Sequence, residues 1–276
     1  MTQSRAGAVA LAAALLVVGA ARAHASDFWD EVRNPGLAAQ RIHARRAREA
    51  LAGNRAELAL SEADAAIVAC AACAQGQVVR GRALAALGRH GEAVVAFERA
   101  LQSSAAALDA KAADALAAAF SASYVGRPEI AVSLLERLLA RRPSDDPRAL
   151  CMLADALQAQ GPAMLRRAMM IYREAITASA HARRALLGLA LALDRDGAHD
   201  EALALARRAA PDSDPEATGA WLPEPERAAR LALWLSAVGD DAAAAAAWQH
   251  AAEGGGAFGE HARAARERAL RAAARP

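Results

Sequence analysis

The sequence predicts an all-α fold, a solenoid of stacked helix-turn-helix repeats closed by a C-terminal capping helix. Three observations predict it. One layout of small residue, glycine turn and large residue recurs along the chain, and the prolines fall between helical stretches rather than inside them. The intervening helices are also near or below the ~12–15 residues that an isolated helix needs, so they must gain stability by stacking.

Residues 1–25 read as a secretory leader. Arg5 gives a short positive start, Ala6 to Ala20 form an apolar stretch, and Ala23-His24-Ala25 supplies the small-x-small cleavage pattern. The stretch falls short of the ~20 apolar residues of a membrane span, and no later stretch is long and apolar enough for one. The expectation is an exported chain, periplasmic or secreted, that starts at Ser26. The leader carries two arginines, Arg5 and Arg22, and no acid, so the formal charge of +2 falls to zero when it is removed. A neutral chain with interspersed charges argues against nucleic acid as the partner.

Residues 26–39 form an aromatic and charged segment, S-D-F-W-D-E-V-R-N-P-G over 26 to 36. Phe28 and Trp29 stand together there although aromatics make up only 4% of the chain. They are either a cap over the exposed end of the repeat stack or a docking segment.

The repeat array is expected over 40–258. In G-R-A-L-A-A-L-G-R-H-G-E-A-V-V-A-F-E-R-A-L, residues 81 to 101, a small residue inside one helix is followed by a turn at Gly88. A second helix then carries Ala93, Phe97 and Ala100. The layout returns at Gly126 with Ala131, Leu135 and Leu138, and at Gly161 with Ala168, Tyr172 and Ala175. It returns again at Gly197 with Ala202, Ala206 and Ala209, and at Gly239 with Ala244, Trp248 and Ala251. Nine prolines, at 35, 128, 143, 147, 162, 211, 215, 223 and 225, sit at the proposed turns or first helical turns. Proline inside a helix costs about 3 kcal/mol, so their positions mark helix boundaries.

This pattern resembles the tetratricopeptide repeat (TPR) family, whose unit is a helix-turn-helix of about 34 residues. The small position of its first helix is matched by Gly81, Ala119, Ala154, Ala190 and Ala232. Five units are placed at 74–107, 112–145, 147–182, 183–216 and 225–258, with a degenerate sixth near 40–73. Residues 259–276 are expected to form the capping helix, with Arg263, Arg266, Arg268 and Arg271 alternating with alanines.

The resemblance implies a groove lined by the first helices of successive units, binding a protein or peptide. Carried over, its positions are Arg82 and Ala86; Leu116, Phe120 and Tyr124; Arg148, Cys151, Asp155 and Gln158; and Arg184, Leu187, Asp194 and Arg195. Phe120 and Tyr124 share a helix face and are either peptide anchors or inter-repeat packing. Asn34 and Asn54 are the only asparagines, so the family's Lys/Asn clamp for C-terminal carboxylates is not visible.

No catalytic pattern appears: there is no H-E-x-x-H, Walker loop or G-x-S-x-G. Gly254 to Gly259 formally matches G-x-G-x-x-G but follows an alanine-rich helix, so it reads as a hinge. The histidines are scattered singly and read as surface or turn residues. Asp145-Asp146 and Asp240-Asp241 read as helix caps. Cys70 and Cys73 form either a local disulfide or two inert small residues, with redox or metal chemistry as the alternative; Cys151 is left over. The expectation is therefore an exported, non-enzymatic interaction scaffold in envelope assembly, with no cofactor and no metal. A periplasmic redox or metal-linked module at Cys70 and Cys73 is the other reading.

Overall fold

The computed structural model describes residues 35–141, 147–178, 183–209 and 222–274. The leader, Phe28 and Trp29, and Asp145-Asp146 lie outside them. Among the described residues there are thirteen α-helices and no strand. They are α1 (Pro35–Ala52), α2 (Ala56–Ala69), α3 (Ala74–Ala86), α4 (His90–Ser103), α5 (Ala112–Tyr124), α6 (Pro128–Arg141) and α7 (Pro147–Ala159). A 3-10 turn, Pro162–Met164, leads into α8 (Leu165–Ala178). Then follow α9 (Arg183–Arg195), α10 (His199–Ala209), α11 (Glu224–Val238), α12 (Asp241–Ala251) and α13 (Gly256–Ala273). No helix among the described residues is long and apolar enough to cross a membrane.

The chain divides into two compact units, one running to Leu87 together with Ala96–Ala107, the other Gly88–Val95 together with Leu108 onward. In the first, α1, α2 and α3 pack on one another around alanines: Ala44, Ala47 and Ala50 meet Ala59, Ala63, Ala66, Val79 and Ala83. Alanine at most of these positions lets the backbones approach closely. In the second unit each helix packs on the next, and the first helices of successive repeats, α5, α7, α9 and α11, also touch in series. That double contact is what makes the array a solenoid of repeats.

The repeat positions fall where the sequence puts them, except that Leu138 is only half-buried. Ala119, Ala154, Ala190 and Ala232 are fully buried, as are Ala93 and Ala100, Ala131 and Leu135, Ala168, Tyr172 and Ala175, Ala202 and Ala206, and Ala244 and Ala251. Phe97 and Trp248 are buried beside them. Burying a large apolar side chain is worth about 1.5–3 kcal/mol, and Phe97, Leu135, Tyr172 and Trp248 fill this position in four repeats, whereas the repeat at Gly197 has Ala206 there.

The turns have a common cause. Gly88, Gly126, Gly161, Gly197 and Gly239 all take positive φ, from 73° to 109°. At Gly239 its own N–H donates to the Ser236 carbonyl at 3.2 Å, and the Asp240 N–H reaches back to Leu235 at 2.9 Å. This pair of bonds satisfies carbonyls that the end of α11 would otherwise leave free, and it needs a left-handed residue. The same pair recurs at Gly126 and at Gly197. Asp240 then caps α12, its Oδ1 accepting from the Ala243 N–H at 3.1 Å.

The last helix is closed onto the array by a buried carboxylate. Asp194, at the end of α9, accepts from His199 Nδ1 at 2.6 Å and from Arg268 Nη2 at 3.0 Å, with His261 Nε2 2.8 Å away. Burial opposes its charge, but the two imidazoles and the guanidinium together hold Asp194 below the usual carboxylate range. Its contribution to stability is present above its unfolded value near 3.8 and lost as pH falls through the lower folded value. Asp194→Asn is therefore expected to cost about 1–3 kcal/mol at pH 7, a gap that closes below pH 4. Urea unfolding of both proteins at pH 7 and pH 3 checks this, and a gap that persists unchanged at pH 3 would refute it.

Candidate functional site

Two features of the second unit stand out: an aromatic face and a buried polar cluster. Phe120 and Tyr124 lie one turn apart on α5 with near-parallel rings, 6.3 Å between centroids and 6° between planes. His90, the first residue of α4, closes on both, 5.1 Å from Phe120 and 4.4 Å from Tyr124. Its Nδ1 is 3.3 Å from Ser121 Oγ, and burial lowers its pKa below the ordinary histidine value. Phe120 is half-buried, whereas Tyr124 is 46% exposed and Val125 beside it 37%. The pair is thus neither core nor free surface: one ring is anchored and the other presented. Leu116, one turn earlier, is half-buried on the same helix.

The polar cluster forms where α7, α8, α9 and α11 converge. Asp155 is buried and accepts from the Tyr172 hydroxyl at 2.5 Å and from Arg230 Nη2. Arg230 also donates to the Tyr172 oxygen at 3.2 Å, and Tyr172 reaches Gln158 Oε1 at 3.2 Å. Burial and the neighbouring Asp155 carboxylate push the Tyr172 hydroxyl well above its ordinary value. Burial disfavours the charge on Arg230, but Asp155 and Tyr172 more than restore it. Arg195 donates to the Gln158 carbonyl at 3.1 Å and lies over the Phe258 ring at 5.4 Å. Burial lowers Arg195 and Arg184 within the arginine range, Arg184 further because Arg148 is near.

The comparisons with known proteins bear on the fold. A structure of YrrB, described as a TPR protein with an unusual peptide-binding site, superposes with a TM-score of 0.54 at 18% identity, covering 60% of this chain and 82% of that one. MamA from Desulfovibrio magneticus RS-1 gives 0.52 at 18% identity, over 62% and 93%. A further MamA structure gives 0.53 at 15%, over 66% and 95%. The fold is TPR-like. No protein-family model and no curated relative matches the chain.

On this TPR-like frame the carried-over groove positions separate into three sets. Asp155, Gln158 and Arg195 meet in the buried cluster, and Arg184 lies close enough to feel Asp155 and Arg230. Asp194 is occupied by the contacts to α13, and Leu187 and Cys151 are buried. Tyr124 is exposed beside the half-buried Phe120 and His90, while Arg148 and Ala86 are exposed and Arg82 is half-buried. Cys70 and Cys73 form a disulfide with 5.4 Å between Cα atoms, at the junction of α2 and α3. Among the described residues no group of three or more His, Cys, Asp or Glu side chains could hold a metal.

Sequence reasoning reads the histidines as isolated; instead His199 and His261 share one carboxylate and His90 completes the aromatic face. It also leaves Arg230 and Glu226 unnoticed. A signal for the first existed. Helices α7 and α9 are buried on nearly every side, so a polar residue within them, such as Asp155, requires a partner from elsewhere in the chain.

Proposed function

We propose that this chain is a non-enzymatic interaction scaffold, exported to the cell envelope, that docks a protein or peptide segment on the face formed by His90, Phe120 and Tyr124. The observation that carries it is the exposed Tyr124 ring held parallel to Phe120 and backed by His90. Rigid aromatic rings contribute contact area at low entropic cost, which is why they recur as binding anchors. A TPR-like array of short, mutually supported helices holds such a face in place. Disulfides persist in oxidising compartments, so the Cys70–Cys73 bridge favours the export reading. It also favours the second reading, a redox module. Thiol titration with and without reductant, plus metal analysis, separates the two, and a redox-inert, metal-free protein removes the redox or metal-linked reading.

Photo-crosslinking in native envelopes tests the docking face. Phe120→Ala and Tyr124→Ala are expected to lower partner capture at least tenfold while leaving the thermal midpoint of the Tyr124 variant within about 2 °C, since an exposed ring contributes little to folding. Folded variants that retain every partner would place docking elsewhere.

A further inference from the structure

The last helical pair of the array carries an apolar groove. It holds about 450 Å³ between α11 and α12, lined by Leu231 and Leu235 from one helix and Ala243, Ala246 and Ala247 from the other. The repeat register gives its origin. In the last three repeats the small position of the first helix has leucine one residue before it and three residues after it. These are Leu153 and Leu157 around Ala154, Leu189 and Leu193 around Ala190, and Leu231 and Leu235 around Ala232. The first two pairs are buried, whereas Leu231 and Leu235 are only half-buried.

The difference lies in what packs next. Helix α9 lies on both α7 and α8, and α11 on both α9 and α10, so each of those pairs is covered by the first helix of the following repeat. After α12 the chain departs from that rule. Helix α13 packs on α12 and turns to Asp194 at the end of α9, but it does not pack along α11. Among the described residues no helix takes the place of the missing one, and Val238, one turn beyond Leu235 on α11, is exposed. Exposed apolar patches of this kind mark interaction surfaces.

We propose that this groove pairs two copies of this chain, α11 of each lying in the groove of the other. The patch is complementary to itself. Ala228, Leu231, Leu235 and Val238 follow one stripe of α11 and form a ridge, whereas the alanines of α12 leave a trough beside it. A two-fold axis sets each ridge in the other copy's trough, and first helices then meet first helices, as they do inside the array. Charge permits the approach, since Glu224 is paired with Arg227 at the rim and two copies meet without a like-charge clash there. The exposed residues of α1 include Arg41, Arg45, Arg46 and Glu49 beside Ile42, a poor match for an apolar groove. Copies therefore close into a pair rather than an end-to-end chain. The pairing does not depend on the aromatic docking face.

Pairing takes Leu231 and Leu235 of both copies out of water, which matches the burial of their counterparts in the two preceding repeats. Because the interface is the same patch twice, one substitution alters both sides of it. A carboxylate placed in the groove is thus buried in apolar surroundings in each copy, with no partner for its charge.

The test is sedimentation equilibrium of the full chain, read together with crosslinking. A concentration-dependent dimer is expected, and Leu235→Glu should weaken it about a hundredfold. Ala246→Glu, at an exposed position on the lining, should weaken it at least about tenfold, and it serves if Leu235→Glu does not fold. Ala246→Cys treated with a bismaleimide should give a covalent dimer and no ladder above it, because Cys70 and Cys73 are bridged and Cys151 is buried. Phe120→Ala should leave the dimer unchanged, so failure of the docking face and failure of the pairing are read separately. A chain that stays monomeric at millimolar concentration overturns the proposal, whether another segment of the chain or another protein covers the groove. So does a dimer indifferent to both Leu235→Glu and Ala246→Glu, a dimer abolished by Phe120→Ala, or a crosslinked ladder beyond the dimer.

Discussion

Replacing Arg230 by methionine is expected to destabilise the second unit by about 3–5 kcal/mol, the typical cost of removing one partner from a buried ion pair. The physical reason is the carboxylate left behind. Asp155 is 2% exposed, and Arg230 and the Tyr172 hydroxyl both donate to it. Without the guanidinium, Asp155 must stay ionised in a dry setting, take up a proton, or draw in water. Methionine fills much the same volume, so the loss reports charge rather than packing. The double variant Asp155→Asn with Arg230→Met should recover most of the stability, because it removes both charges and keeps the side-chain amide for Tyr172. Urea unfolding of the two single variants and the double variant gives the coupling energy directly. Near-additive costs would mean that the pair is not the organising contact of the cluster. Arg230→Lys should resemble methionine more than wild type, since one ammonium cannot reproduce a fork that reaches both Asp155 and Tyr172.

That pair also shows where the sequence stops being readable. Gly239, Ala232 and Trp248 are legible because each is part of a local pattern: turn, small position and large position recur at a fixed spacing, and helix geometry alone dictates what they do. Arg230 and Asp155 are 75 residues apart, and Asp194 and Arg268 are 74 apart. In sequence Arg230 and Arg268 are each one charge among several on their helices, and nothing local pairs them with Asp155 or Asp194. Only the return of α11 and α13 toward α7 and α9 brings them together. The candidate site divides the same way. Phe120 and Tyr124 are legible as a pair because four residues make one turn. His90 joins them only through tertiary packing.

Gly188→Ala carries the other large expected effect, and its sign runs against helix propensity. In an open helix the change would stabilise by roughly 0.5–1 kcal/mol, since alanine loses less backbone freedom than glycine. Here Gly188 is fully inside α9, beneath the Tyr172 ring. A Cβ would lie 2.3 Å from Cε1, 2.5 Å from Cζ and 2.7 Å from the hydroxyl oxygen. An exposed ring could swing aside, but Tyr172 is fully buried and tied through its oxygen to Asp155, Gln158 and Arg230. Moving it breaks the polar cluster; keeping it forces α8 and α9 apart. Overpacking of this kind costs about 1–3 kcal/mol, and the lost hydrogen bonds add about 1 kcal/mol. The net expectation is a loss of about 2–4 kcal/mol for Gly188→Ala, read by urea denaturation. In a Tyr172→Leu background, where no ring occupies that space, the same substitution should be neutral or mildly stabilising. Should alanine at 188 cost as much there as in the wild type, the close approach of ring and backbone would not be the cause. If the cost vanishes, the glycine is explained: it lets a tyrosine lie flat on a helix, and from that position the tyrosine holds Asp155 in place in the buried cluster.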